Sequence, residues 1–110
     1  MKAFSWGPAN VEHIAKHGVA PAEAQYVATH ARKPFPRYVG DGKWQVWGRT
    51  MDGRYLQVIY VYPDDEDVDI DSLSVTDLLA FSAGEAQVVY VIHAMELDDE
   101  QKAFVRKRQG

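Results

Sequence analysis

The stretch Lys16-His17-Gly18-Val19-Ala20-Pro21 leaves this chain few ways to begin folding. Residues 9–17 carry Val11, Ile14 and Ala15 at helical spacing, so the segment reads as a short amphipathic helix. Gly18 follows where a helix end favours a left-handed residue. Pro21 has its φ already set for a first helical turn, where its missing N–H costs nothing. One helix must therefore stop and another start within a few residues, which predicts a helical hairpin. Ala24, Val27, Ala28 and Ala31 give the second helix an apolar stripe through about Arg32, and Pro34 and Pro36 end it.

Strand signals follow. Phe35 to Tyr38 is short and bounded by proline, as suits an edge. Lys43 to Thr50 and Tyr55 to Tyr62 are rich in aromatic and β-branched residues, and Asp52-Gly53 between them is a strong hairpin turn signal. Alternation puts Gln45, Trp47 and Arg49 on one face and Trp44 and Val46 on the other. Val88 to His93 is a last strand, with His93 in the row of Val89 and Val91. Asp98 and Gln101 form a capping box that starts a terminal helix anchored by Phe104 and Val105. Phe4 to Trp6 is a short strand or an extended lead-in. The expected fold is α+β in one domain over residues 1–110, with the helical hairpin, an antiparallel sheet of three to four strands, and the C-terminal helix, the helices lying on one face.

Residues 63–87 stand apart as an acidic insertion between the last two strands. Asp64 to Asp71 alternates like a calcium loop but lacks the glycine and the final glutamate such a loop needs, so it reads as a solvated run. A second reading makes it a phosphate mimic laid over a basic patch. Ser74 can cap a short helix that Gly84 would end.

The net charge of −4 argues against a generally basic nucleic-acid binder. The cations are nevertheless grouped at Arg32–Arg37, Arg49–Arg54 and Arg106–Arg108, enough for a local basic face on an acidic protein. The absence of cysteine excludes disulfides and thiolate metal sites. No apolar run approaches the roughly 20 residues of a membrane-spanning helix, and no signal peptide is visible, so a cytoplasmic location is expected.

Two blocks resemble the BrnT family, the small ribonuclease toxins of bacterial type II toxin–antitoxin pairs. The first is Trp6…Asn10-x-x-His13-Ile-Ala-Lys16-His17-Gly18-Val19-x-Pro21-x-Glu23; the second is Gly48-Arg49-Thr50-x-x-Gly53-Arg54-Tyr55-Leu56-x-Val58. A third, Val91-Ile-His-Ala94-Met95-Glu96-Leu97, matches less fully. The resemblance implies a RelE-like fold, cleavage of RNA on a small basic face, and neutralisation by a small antitoxin protein. Gly7 stands where the family usually has aspartate, and Met95 where it has arginine.

Cleavage of that kind needs no metal or cofactor: the 2′-hydroxyl attacks the adjacent phosphate, a base takes its proton, an acid protonates the leaving oxygen, and cations hold the extra charge. His17, Arg49 and His93 are the candidates for catalysis, with His13, Lys16 and Arg54 for binding RNA. His13 and His17 share a helix face, which suits an acid/base pair; equally, His17 can cap the helix end while His13 packs on the sheet. Arg49 and Arg54 flank the hairpin turn, as phosphate grips or as solvated turn residues. His93 is an active-strand residue or a half-buried histidine satisfied by a neighbour. A metal at the His13/His17 pair lacks a third ligand in the sequence. The alternative function is an interaction module that kept the fold and lost the chemistry, favoured by Met95 and the acidic segment. It would bind a protein partner, or itself as a homodimer, through an apolar patch around Trp44, Trp47 or Leu78–Phe81.

Overall fold

In the computed structural model, which describes residues 1–109, the elements are β1 (Lys2–Ser5), α1 (Pro8–Ala15), α2 (Pro21–Thr29), β2 (Arg37–Tyr38), β3 (Lys43–Arg49), β4 (Tyr55–Val61), α3 (Val75–Ser82), β5 (Gln87–Glu96) and α4 (Asp99–Gln109). The class is α+β. The sheet has five strands in the order β1-β5-β4-β3-β2 and is mixed, because β1 pairs parallel with β5. A purely antiparallel sheet of three to four strands is thus corrected: the short lead-in around Phe4 is a true edge strand, with Phe4 opposite Val89.

The helices also do not share one face. A Cβ built on Gly48 would meet Val27 Cγ1 of α2 at 3.0 Å, so α2 lies close against the Val46–Gly48 side of β3. Trp47, one residue away and therefore on the other side, stacks edge-on to Phe104 of α4 at 5.7 Å. Ile14, Val27, Val46, Leu56, Val58, Tyr60, Val89 and Val91 form the fully buried centre.

Local chemistry explains the element ends. Gly18 sits at φ +70, Val19 N–H donates to Ile14 O and Gly18 N–H to Ala15 O, which is the Schellman pattern of a glycine-stopped helix. Asp98 and Gln101 exchange side-chain-to-backbone bonds of 2.8 and 2.9 Å at the start of α4. The β3–β4 turn is not a two-residue Asp52-Gly53 loop. Thr50 N–H donates to Arg54 O, and only Gly53 has positive φ, giving a three-residue loop with its last residue left-handed. The second helix stops at Thr29, before the expected Arg32, with His30 already off helical geometry.

β1 covers only the Gln87–Tyr90 half of β5. α1 seals the next stretch of that edge through Asn10. Its Nδ2 donates to Ser5 O at 3.0 Å and Val91 O at 3.3 Å, while its Oδ1 accepts from Gly7 N–H at 2.9 Å.

The acidic segment lies away from the β3–β4 turn. It follows the far end of β4, folds into two 3-10 turns (Asp65–Asp67 and Ile70–Ser72), and returns beside β1, where Ser72 bonds Ser5 and accepts from Trp6 N–H. Asp65 shares a hollow with Met1, Lys2 and Glu85. It therefore does not cover the Arg49–Arg54 patch, and the phosphate-mimic reading is corrected. Ser74 caps α3 as expected, and Gly84 follows it at φ +74.

Two stability outcomes follow from this packing. Asn10→Ala removes three hydrogen bonds at a buried site and should cost about 2–4 kcal/mol in a denaturant titration; a loss below about 1 kcal/mol would mean that the helix is not held there. Tyr60 is fully buried, and among the described residues its hydroxyl makes no well-formed hydrogen bond, with Tyr62 its polar neighbour. Tyr60→Phe should therefore raise stability, by up to about 1 kcal/mol, with a matching rise in Tm. A drop in Tm would show that the hydroxyl is satisfied in solution.

Candidate functional site

Three histidines from distant parts of the chain meet. His13 and His17 stand one turn apart on α1 and its C-terminal corner. Both rings approach His93 of β5, at centroid distances of 6.2 and 5.4 Å. Strict alternation would put His93 in the buried row of Val89 and Val91. A bulge prevents that: Tyr60 pairs with Val91 and Ile59 with His93, so Ile92 is the extra residue and the alternation resets. His93 is consequently half-buried instead of sealed in the core, while His13 and His17 are exposed. Burial and the two neighbouring imidazoles together hold the His93 pKa below its ordinary value, burial first. The ring is therefore neutral over a wider pH range than a free histidine. Lys16 is exposed and lies next to His13 on the helix surface, three residues along. Among the described residues, no three His, Cys, Asp or Glu side chains converge as a metal site.

Arg54 is tied up. Its guanidinium bonds Glu23 at 2.8 Å, Glu96 at 3.0 Å and the Gly18 carbonyl at 3.0 Å. It joins the corner at Gly18, the residue after His17, to the end of β5 at Glu96. The bond from Ala20 N–H, with Arg54 also contributing, holds the Glu23 carboxyl below its usual range. Arg54 is thus a clamp with its donors largely spent.

Arg49 is not part of the histidine cluster. It pairs with Tyr55, four residues along β4 from the Ile59 partner of His93, and β3 and β5 are separated by β4. Strand spacing of about 4.8 Å and a rise of about 3.4 Å per residue put the two Cα atoms roughly 17 Å apart. The Arg49 guanidinium lies over Tyr55 and beside Gly53, not toward His93. Arg49 instead belongs to a layer of arginines over aromatic rings. Arg49 and Arg106 lie over Tyr55 at 5.7 and 5.6 Å, Arg37 lies over Trp47 at 5.5 Å, and Arg108 over Phe104 at 4.7 Å. Trp47, Phe35 and Phe104 pack on one another within 6.1 Å. The three basic groups of the sequence therefore do assemble into one local face. His30 was not singled out from the sequence, although it lines the same region with Arg32. Only its place four residues after Tyr26, on the same helix face, hinted at the stacked pair the two rings form.

The depressed pKa of His93 fixes a sign for stability. Between the folded and unfolded values the unfolded chain binds the extra proton, so stability falls as pH drops below about 6.5. Above that pH the residue contributes no slope. His93→Gln should flatten the stability-versus-pH curve just below about pH 6.5, measured by thermal melts; an unchanged slope would show that the environment of the ring does not disfavour its charged form. Comparison with family models, curated proteins and solved structures finds no match to this chain.

Proposed function

We propose that this protein is a toxin-type endoribonuclease that cleaves RNA by internal transesterification, with His93 and His17 exchanging the protons. The observation that carries the reading is the meeting of His13, His17 and His93 at a partly open surface. A neutral His93 is suited to take the 2′-hydroxyl proton. His17, exposed and 5.4 Å away ring to ring, is suited to return a proton to the departing 5′-oxygen. Lys16, exposed and one helical turn from His13, is the cation proposed for the phosphate. Arg49 acts at a distance, holding a neighbouring part of the RNA. The balance is internal: the 2′-oxygen–phosphorus bond forms, the phosphorus–5′-oxygen bond breaks, and the products are a 2′,3′-cyclic phosphate and a free 5′-hydroxyl.

The antitoxin remains the proposed partner. Trp44 and Trp47 are engaged in the aromatic layers, so they offer it little. The exposed apolar side chains of the inserted segment are Ile70, Val75 and Leu79. The second reading, a non-catalytic interaction module, draws on that stripe and on the spent donors of Arg54.

The test is incubation of the purified protein with end-labelled RNA in the presence of EDTA. Cyclic-phosphate ends should accumulate, and His93→Gln or His17→Gln should slow the reaction about 100-fold or more. The acid limb of the rate profile should fall below pH 6.5 and vanish in His93→Gln. RNA left intact by the wild-type protein would leave the module reading standing; RNA cut equally by the wild type and both variants would remove the histidines from the chemistry.

A further inference from the structure

We infer that the side of the molecule formed by the end of α2, the end of β3 and α4 is a binding track for single-stranded RNA, with phosphates held by Arg32, Arg49 and Arg108 and a base stacked on His30. The inference rests on the ribonuclease reading for its choice of ligand, and it places substrate binding away from the histidine centre.

Two adjoining hollows define the track. The first, about 510 Å³, is lined by Tyr26, His30, Arg32, Arg49, Thr50 and Met51, with Val27 and Ala31 at its back. The second shares His30 and Arg32 and runs on to Trp47 and Arg108. The second is only a cleft of about 20 Å³, so the track is the first hollow with Arg108 at its rim, and His30 and Arg32 are the residues common to both. Among the described residues no carboxylate lines either hollow; Glu23 and Asp52 line the neighbouring one beyond Tyr26 and Met51. The acidic segment, which could have neutralised the track, sits at the opposite end of β4.

The arginines are available. Among the described residues the ion pairs are those of Arg54, with Glu23 and Glu96. The Arg49 and Arg108 guanidinium carbons lie 5.7 and 4.7 Å from the ring centroids of Tyr55 and Phe104, and both residues are exposed. A guanidinium held in that way can meet a phosphate with two parallel hydrogen bonds.

The stack supplies the preference for an unpaired strand. Tyr26 and His30 lie face to face, centroids 4.0 Å apart and planes within 21°. His30 Nδ1–H donates to Tyr26 O at 2.8 Å, which fixes the ring. Its outer face is exposed beside Arg32. A planar platform flanked by free guanidinium groups takes a splayed-out base together with its backbone; an acidic protein segment would use the arginines but have no use for the platform.

The test uses a fluorescently labelled 2′-O-methyl RNA of about ten nucleotides, which cannot be cleaved, in polarisation titrations at several salt concentrations. Arg32→Ala/Arg108→Ala should bind at least tenfold more weakly and should lower the log–log salt slope by about 1.4, the value for two single-strand phosphate contacts. His30→Ala should weaken binding several-fold with the salt slope unchanged. A duplex of the same sequence should compete poorly. Thermal melts check that the exposed substitutions leave the fold intact. Wild-type affinity in the double arginine variant, or equal competition by duplex, overturns the track. Displacement of the oligonucleotide by polyglutamate at equal charge concentration would reassign the surface to an acidic protein. Because binding is read on an uncleavable strand, tight binding without RNA cleavage would sink only the ribonuclease reading, and cleavage with unaltered arginine-variant binding would sink only the track.

Discussion

The exposed edge of β5 is the constraint on which the rest depends. β5 is ten residues long and β1 is four, so β1 leaves more than half of that edge uncovered. Unpaired strand groups must find partners when they are buried. Here the partner is a helix, and Asn10 carries the contact with a single amide that spans Gly7, Ser5 and Val91. Once α1 is seated there, the positions of His13 and His17 over the later part of β5 follow from helical spacing. The bulge at Ile92 then turns His93 toward them. The same device that closes the sheet edge therefore assembles the histidine cluster.

The second dependence is electrostatic. Arg54 ties together the Gly18 corner, the first turn of α2 and the end of β5. The individual ion pairs are partly exposed, at 31% for the arginine side chain, so each is worth little by itself. What they do is fix three chain segments to one point. That explains why a glutamate at position 23 matters twice: it caps α2 through Ala20 N–H and receives Arg54. An arginine read from sequence as a free phosphate grip is in large part a structural tie.

Much of the secondary structure was legible because its signals are local. Gly18 and Pro21 bound two helices, Ser74 caps a third, and Asp98 with Gln101 caps the fourth. Each reading needed no more than four neighbouring residues. The parallel pairing of β1 was not legible, since Lys2 meets Gln87 across nearly the whole chain and a four-residue strand carries too few alternations to declare itself. The bulge at Ile92 was hidden for a related reason: in a run as uniformly apolar as Val88-Val-Tyr-Val-Ile, nothing marks the residue that steps out of register. The histidines were picked as residue types. Their meeting depends on that bulge and so belongs to tertiary structure.

The arrangement of charge resolves the tension between an acidic composition and a basic surface. The acids of residues 64–71 collect at the end of the sheet where β5 begins, while Arg49, Arg54 and Arg106 gather where β5 ends. In a chain of net charge −4, cations and carboxylates (Asp52, Glu96, Asp98 and Asp99) meet at that end, while residues 64–71 are acidic throughout their charged positions. The acidic segment repels a polyanion from the end of the sheet where β5 begins. Orientation matters here because the arginine layer and the histidine cluster are separated by roughly 17 Å on the strand spacing. A single nucleotide cannot bridge them, but an extended strand can, provided it enters from the arginine side and passes the β3–β4 turn. Arg54 stands at that turn with its donors spent on Glu23 and Glu96, neither adding a competing free cation nor exposing a bare carboxylate pair. Neutralising the turn internally keeps the arginine layer and the histidine cluster distinct.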